Sequence, residues 1–223
     1  MNFKKTIILK VLVGSRAYGL ADENSDYDYR TVYVLPTSEI LSLGYKYKCN
    51  DWIEGNEEDN TMYEIGHFLQ LAIKCNPSIL EIFKAPVAYA SEDGIKLKEL
   101  FPYVWNPKGV FDAFVGYGLN QRKKMLNKEG DRPIKYAIAY LRTLYNLISL
   151  LSYKDFSLTI ENPVIKEGFM SIKKGLCSYG EIIDASEELA GIAKMCLATC
   201  KQEPNLEKVN EFLIDIRKRY WSE

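Results

Sequence analysis

Ile7-Ile8-Leu9-Lys10-Val11-Leu12-Val13-Gly14-Ser15-Arg16-Ala17-Tyr18, followed after a short polar link by Ser25-Asp26-Tyr27-Asp28-Tyr29-Arg30, is the stretch that decides the fold. The run over 7–13 is rich in Ile and Val and punctuated by Gly14, which predicts a buried strand. Ser15-Arg16-Ala17-Tyr18 can then open a short helix whose free backbone N–H groups point at an anion such as a triphosphate. Gly14 allows a sharp turn and a close backbone approach. A second strand is expected over 26–35, where alternation puts Asp26 and Asp28 on one side. Two carboxylates that close repel each other unless a cation sits between them. Mg²⁺, which takes hard oxygen ligands and substrate phosphates, is the natural candidate. A Gly-Ser turn alone is commonly just a turn, and Asp-x-Asp alone a solvated loop. On adjacent strands joined by Asp22-Glu23-Asn24-Ser25, the two make a coherent site for metal-dependent nucleotidyl transfer.

Outward from this stretch, the pattern predicts a short helix over 38–43, a strand or hairpin arm over 45–53 and an acidic turn over 54–58. A third strand over 59–64 leads into a helix ending at Asn76-Pro77, and Pro77 starts another over 78–84 that stops before Pro86. Character changes near residue 105. Beyond it the pattern is nearly all helical, with long amphipathic stretches over 110–128 and 133–152 separated by Glu129-Gly130-Asp131. A last helix carries Leu206, Val209, Phe212, Leu213 and Ile216 at helical spacing. Its final Arg217-Lys218-Arg219 reads as a complement to the helix dipole on a solvated surface, in preference to a nucleic-acid contact. The expected architecture is α+β: a nucleotidyltransferase core with a mixed sheet over 1–105, then an all-helical domain over 106–223 that binds substrate or nucleotide.

Bulk properties narrow the function. The chain has 223 residues, 47% of them apolar and 26% charged, enough to bury a core. A net charge of −1 gives no overall basic field for a processive polymerase. Some of the 16 tyrosines could stack on bases, although most are expected at core edges. Five cysteines with no Cys-x-x-Cys pair, and a single histidine, His67, make a zinc site a poor account of the thiols. Small buried thiols of a cytoplasmic protein fit better. Met1-Asn2-Phe3-Lys4-Lys5 precedes only a short apolar stretch interrupted by Lys10, which reads as no signal peptide. No segment reaches membrane-spanning length.

Gly14-Ser15-Arg16-Ala17-Tyr18-Gly19-Leu20 with Ser25-Asp26-Tyr27-Asp28-Tyr29-Arg30 resembles the DNA polymerase β-like nucleotidyltransferase superfamily, and within it the RNA-repair-associated nucleotidyltransferases of bacteria and phages. Asp59-Asn60-Thr61-Met62-Tyr63-Glu64, Leu69-Gln70-Leu71-Ala72-Ile73-Lys74 and Asn76-Pro77-Ser78-Ile79-Leu80-Glu81 are similar to that family's middle segment. Lys135 and Arg142, with Lys173-Lys174-Gly175, resemble its helical part. The likeness is strong at the N-terminal motif and weaker after Leu100. Where such sequences often place a His in the helix of Lys135 and Arg142, this chain has Ala139, so any acid–base role of that His is missing.

The two-metal route needs a third carboxylate. Asp59 is the choice, because it begins the third strand and the resemblance implies an acidic residue there; Glu64 is the rival, and on a regular strand the two face opposite ways. Asp26, Asp28 and Asp59 would hold two Mg²⁺ ions, with Mn²⁺ as a substitute. Gly14 and Ser15 would hold the phosphates. Arg16 is open between a phosphate contact and a solvated side chain. Lys135 and Arg142, on one helix face, would bind nucleotide or substrate backbone on the strength of the resemblance. Glu81 is read as an ion-pair partner or cap, and His67 as a packed helix residue. The expected activity is transfer of a nucleoside monophosphate from an NTP, ATP first, to a hydroxyl, releasing pyrophosphate. RNA 3′ ends lead as acceptors by analogy. Protein hydroxyls, small molecules and a non-catalytic nucleotide-binding module are the alternatives.

Overall fold

A computed structural model describes residues 5–23, 25–45, 51–52, 58–129 and 132–222, with backbone alone at 51–52 and 58–60. The N-terminal tetrapeptide, most of the 45–53 arm, the turn over 54–57, Cys49 and Gly130-Asp131 lie outside the described residues. In chain order the elements are β1 (Thr6–Val13), α1 (Gly14–Tyr18), β2 (Tyr27–Val34), α2 (Thr37–Ile40), β3 (Asp51–Trp52), β4 (Glu58–Glu64), α3 (Ile65–Ala72), α4 (Pro77–Lys84), β5 (Val87–Ala90) and α5 (Glu92–Glu99). A 3-10 turn (Phe101–Tyr103) follows, then α6 (Pro107–Leu126), α7 (Pro133–Tyr153), α8 (Pro163–Lys173), α9 (Tyr179–Thr199) and α10 (Leu206–Arg219). The chain divides into two compact units. Met1–Ile73, Ser78–Val104 and Pro204–Glu223 form the first, Lys74–Pro77 and Trp105–Glu203 the second.

The first unit is built on a five-stranded sheet of order β3-β4-β2-β1-β5. β1 runs antiparallel to β2 and β5, β4 antiparallel to β3, and β2 parallel to β4, so the sheet is mixed and the fold is α+β. β5 was not anticipated from sequence: Val87-Ala88-Tyr89-Ala90 is short and largely exposed, as an edge strand is. Alternation along β1 buries Leu9, Val11 and Val13 with Val32 of β2 on one face. A register shift between Ile7 and Leu9 leaves the Ile8 carbonyl to accept from the Ser91 amide at 2.9 Å. That contact draws α5 onto β1 so closely that a Cβ at Gly94 would stand 2.0 Å from the Ile8 oxygen. An aromatic chain ties the helices to the sheet: Tyr63–Phe68, Phe68–Phe83 and Phe83–Phe101 have ring centroids 6.4, 5.1 and 5.9 Å apart.

α10 belongs to this first unit, although the sequence division at 105 groups it with the helical part. Its basic triplet corrects the solvated-surface reading. Arg217 Nη2 lies 2.7 Å from Glu64 Oε1, with the Glu64 side chain 2% exposed, and Glu64 Oε2 accepts from the Gly66 amide at 2.7 Å to cap α3. Arg219 binds Asp93 through both terminal nitrogens at 2.8 Å, and Tyr220 donates to the same carboxylate at 3.0 Å. Burial alone would push the Asp93 carboxyl up, but these donors outweigh it and hold it below the usual carboxylate range. Lys218 is exposed, and Arg219, though paired, keeps 41% of its side chain exposed, so Arg217 is the member of the triplet that leaves the surface. The ends of the chain are further joined by Thr37, whose amide donates to the Tyr220 carbonyl and whose hydroxyl donates to the Arg217 carbonyl, each at 2.7 Å.

In the second unit α7 packs on α6, α8 and α9 through Leu141, Leu144, Leu147, Leu150 and Leu151. Three of its helix starts carry a side-chain cap, and α7 starts on Pro133 without one. Asn106 and Asn162 cap α6 and α8 ahead of Pro107 and Pro163, and Ser178 with Glu181 forms a capping box on α9. Among the described residues no helix is long and apolar enough to cross a membrane.

Candidate active site

The site grows from the junction of β1 and β2. Val13 is the register partner of Asp28, and Gly14 turns the chain with φ +72°. A Cβ at Gly14 would stand 2.2 Å from Asp28 Oδ2, so a glycine is what allows that carboxylate to lie against the loop opening α1. Ser15 follows, half-buried, its carbonyl accepting from the Leu20 amide at 2.9 Å. Asp28 is half-buried, and Asp26, just ahead of β2, is exposed.

The link before Asp26 is held from two sides. Within it, the Ser25 amide donates to the Asp22 carbonyl at 3.1 Å, and the Ser25 hydroxyl donates to Asp22 Oδ1 at 3.0 Å. Across it, Arg16 donates from Nε and Nη2 to the Ser25 carbonyl at 3.0 and 2.7 Å. Its guanidinium carbon lies 3.9 Å from the Tyr27 ring centroid. Arg16 thereby ties the Gly-Ser helix to the Asp-x-Asp strand. Tyr18 donates to Glu81 Oε2 at 3.2 Å, fastening α1 to α4, so Glu81 serves as a partner for a neighbouring element.

β4 supplies the third position. Its parallel register makes Asp59 the partner of Asp28, while Glu64 is the partner of Tyr33 farther along. The Asp59 side chain lies outside the described residues. The Glu64 carboxylate is committed to Gly66 and Arg217. His67 is half-buried in α3. Lys135 and Arg142 lie on α7 in the second unit, Lys135 exposed and Arg142 buried at 4% exposure. Ala139, between them, accepts from the Thr143 hydroxyl at 2.7 Å through its carbonyl.

Sequence reasoning passed over Arg30. It stands two residues beyond Asp28 on the same face, flanked in register by Val11 and Thr61. Nη1 donates to the Tyr29 carbonyl at 2.8 Å. Burial pushes the Tyr63 hydroxyl up, and the Arg30 charge pulls it partly back. Strand alternation from Asp28 was the signal that could have marked this residue.

The donor chemistry fits Mg²⁺: Asp26 and Asp28 offer carboxylate oxygens, and the Gly14 backbone leaves the Asp28 carboxylate the room a Cβ would take. Among the described residues no three His, Cys, Asp or Glu side chains converge on a metal position. Cys75 is buried, and Cys177, Cys196 and Cys200 are half-buried free thiols.

Sheet, Gly-Ser turn and Asp-x-Asp strand define a polymerase β-like nucleotidyltransferase. A family model described as RlaP, RNA repair pathway DNA polymerase beta family, matches residues 2–164, and the chain belongs to that family. Among solved structures, a nucleotidyltransferase-like protein from Exiguobacterium sibiricum 255-15 is 9% identical, with 96% of this chain and 74% of that one covered at a TM-score of 0.29. That likeness is too distant to bear on chemistry. No curated protein matches.

Proposed function

We propose that this protein transfers a nucleoside monophosphate from an NTP, ATP first, to an RNA 3′ hydroxyl. A bond forms between the acceptor oxygen and the α-phosphorus, the hydroxyl's proton passes to solvent, the bond from that phosphorus to the α–β bridging oxygen breaks, and pyrophosphate leaves. The observation that carries the reading is the apposition of Gly14 and Asp28: a carboxylate is held against the turn that would receive the triphosphate. Asp26, Asp28 and Asp59 would hold two Mg²⁺ ions, Asp59 through its register with Asp28. Bound Mg²⁺ would supply charge stabilisation at the attacking and leaving oxygens. Gly14 and Ser15 would receive the β- and γ-phosphates, while Arg16 keeps the carboxylate strand in place through Ser25. The RNA acceptor is supported by the family's description, which speaks of RNA repair.

The test is incorporation of each α-labelled NTP, with Mg²⁺ or Mn²⁺, into single-stranded RNA, tRNA, DNA and a protein lysate, beside Asp26→Asn/Asp28→Asn. Label on RNA that the double variant fails to add is the expected result. Mutant-sensitive label on a protein band would replace RNA with a protein hydroxyl. No mutant-sensitive label on any acceptor would overturn transfer to macromolecules.

A further inference from the structure

The sheet has a second face, turned away from Asp28. Alternation places Tyr27 and Tyr29 of β2 there, with Leu12 of β1 as the register partner of Tyr29. Lys10 shares that face, and its partner on β5 is Tyr89. The Tyr27 and Tyr29 rings lie 13° from parallel with centroids 6.5 Å apart. Lys10 Nζ stands 4.0 Å from the Tyr29 centroid, and Arg16 covers Tyr27. Tyr27 is 49% and Tyr89 50% exposed. Farther along β2 the same face is closed by a small core of Tyr33, Leu35 and Met62 with Ile40 and Tyr45, which bounds the patch.

One exposed tyrosine is ordinary. Two exposed tyrosines and the half-buried Tyr29, with cations seated on two of the rings, no carboxylate on this face of β1, β2 or β5, and Glu58 of β4 in register beside Tyr27, have a specific complement. We propose that this face is a track for single-stranded RNA: bases stack on Tyr89 and on the Arg16 plane that covers Tyr27 beside Tyr29, and phosphates meet Lys10. Rings accept any base because every base has a π-face, and the Arg16 plane extends the stack. This rests on the RNA-acceptor reading and places the body of that acceptor behind Asp28, its 3′ end passing the Tyr27 end of β2 to reach the carboxylates.

The experiment is fluorescence anisotropy of a labelled 12-nucleotide single-stranded RNA with the full chain, without NTP or divalent cation. Tyr27→Ala/Tyr89→Ala is expected to weaken binding at least tenfold, since a stacked base loses about five- to 150-fold with its ring. Tyr27→Phe/Tyr89→Phe should bind as the parent does. Lys10→Gln, which leaves all three rings, should lower the slope of log affinity against log salt by about 0.7. An alanine variant with an unchanged melting temperature and unchanged RNA affinity overturns the track. So does a parent chain that binds no RNA, or one that binds only protein. RNA bound through these tyrosines by a chain that transfers no nucleotide counts against the activity and leaves the track standing. RNA extended by a chain whose tyrosine variants bind normally sinks the track alone.

Discussion

Gly14 and Gly94, in the first unit, sit where a methyl group would strike a carboxylate or a backbone oxygen at 2.2 and 2.0 Å. Gly116, Gly168 and Gly191, on helices of the second unit, have nothing within 4 Å of the same position, and Gly118 would meet only the Tyr140 ring, at 3.0 Å. The crowding is local: Gly44 of the first unit also has open space, and Gly109 of the second would meet Cys75 Sγ at 2.9 Å. At Gly94 backbone approaches backbone, and at Gly14 backbone approaches a carboxylate of the next strand. At Gly109 and Gly118 the neighbours are side chains, and a ring can give way where a carbonyl cannot. The proposed site, which would hold carboxylates against the Gly14 turn, is built on the tighter kind of approach.

The sharpest way to break that contrast is Arg217→Ala. It strands the Glu64 carboxylate, which is nearly fully buried, and removing one partner of such a pair costs about 3–5 kcal/mol. Urea melts should show that loss, and adding Glu64→Gln should recover much of it. If Arg217→Ala melts like the parent, the tie between α10 and the β4–α3 corner is not what stabilises the first unit. Gly94→Ala should come next, at about 3 kcal/mol, because the added carbon meets the Ile8 carbonyl and pushes α5 off β1. Gly14→Ala combines a left-handed φ with the collision at Asp28 and should cost about 1–3 kcal/mol. It should also abolish the rise in melting temperature that Mg²⁺ and ATP together give the parent chain. A Gly14→Ala chain that keeps the full ligand shift would separate Asp28 from the metal site. Gly116→Ala is the small opposite case. With open space and a helical backbone it should stabilise by about 0.5–1 kcal/mol, read in the same melts.

Much of the first unit was legible because its signals are local. The apolar run ahead of Gly14 became β1, the alternation after Ser25 became β2, and Pro77 opens α4; in the second unit Pro133 opens α7 as expected, while α6 starts at Pro107, ahead of the expected 110. The edge strand Val87–Ala90 was missed, since a short segment after Pro86 with two alanines carries little pattern of its own. The choice between Asp59 and Glu64 shows where local reading stops. On sequence both are acids of one strand. The fold gives Glu64 an arginine from the last helix and gives Asp59 the register position beside Asp28.

Residue types and spacing by themselves determined that a glycine turn would follow a buried strand, that an aspartate pair would stand at the start of the next one, with Asp28 on it and Asp26 just ahead, and that the rest of the chain would turn helical. Those follow from backbone sterics and periodicity, which act over a few residues. Tertiary structure alone decided that Arg16 would clasp Ser25, that Arg217 would leave solvent for Glu64 and Arg219 would pair with Asp93, and that tyrosines of β2 and β5 would share one face. Each depends on which distant segment arrives beside it, and that is set by strand order and helix docking, which no single stretch of the chain encodes.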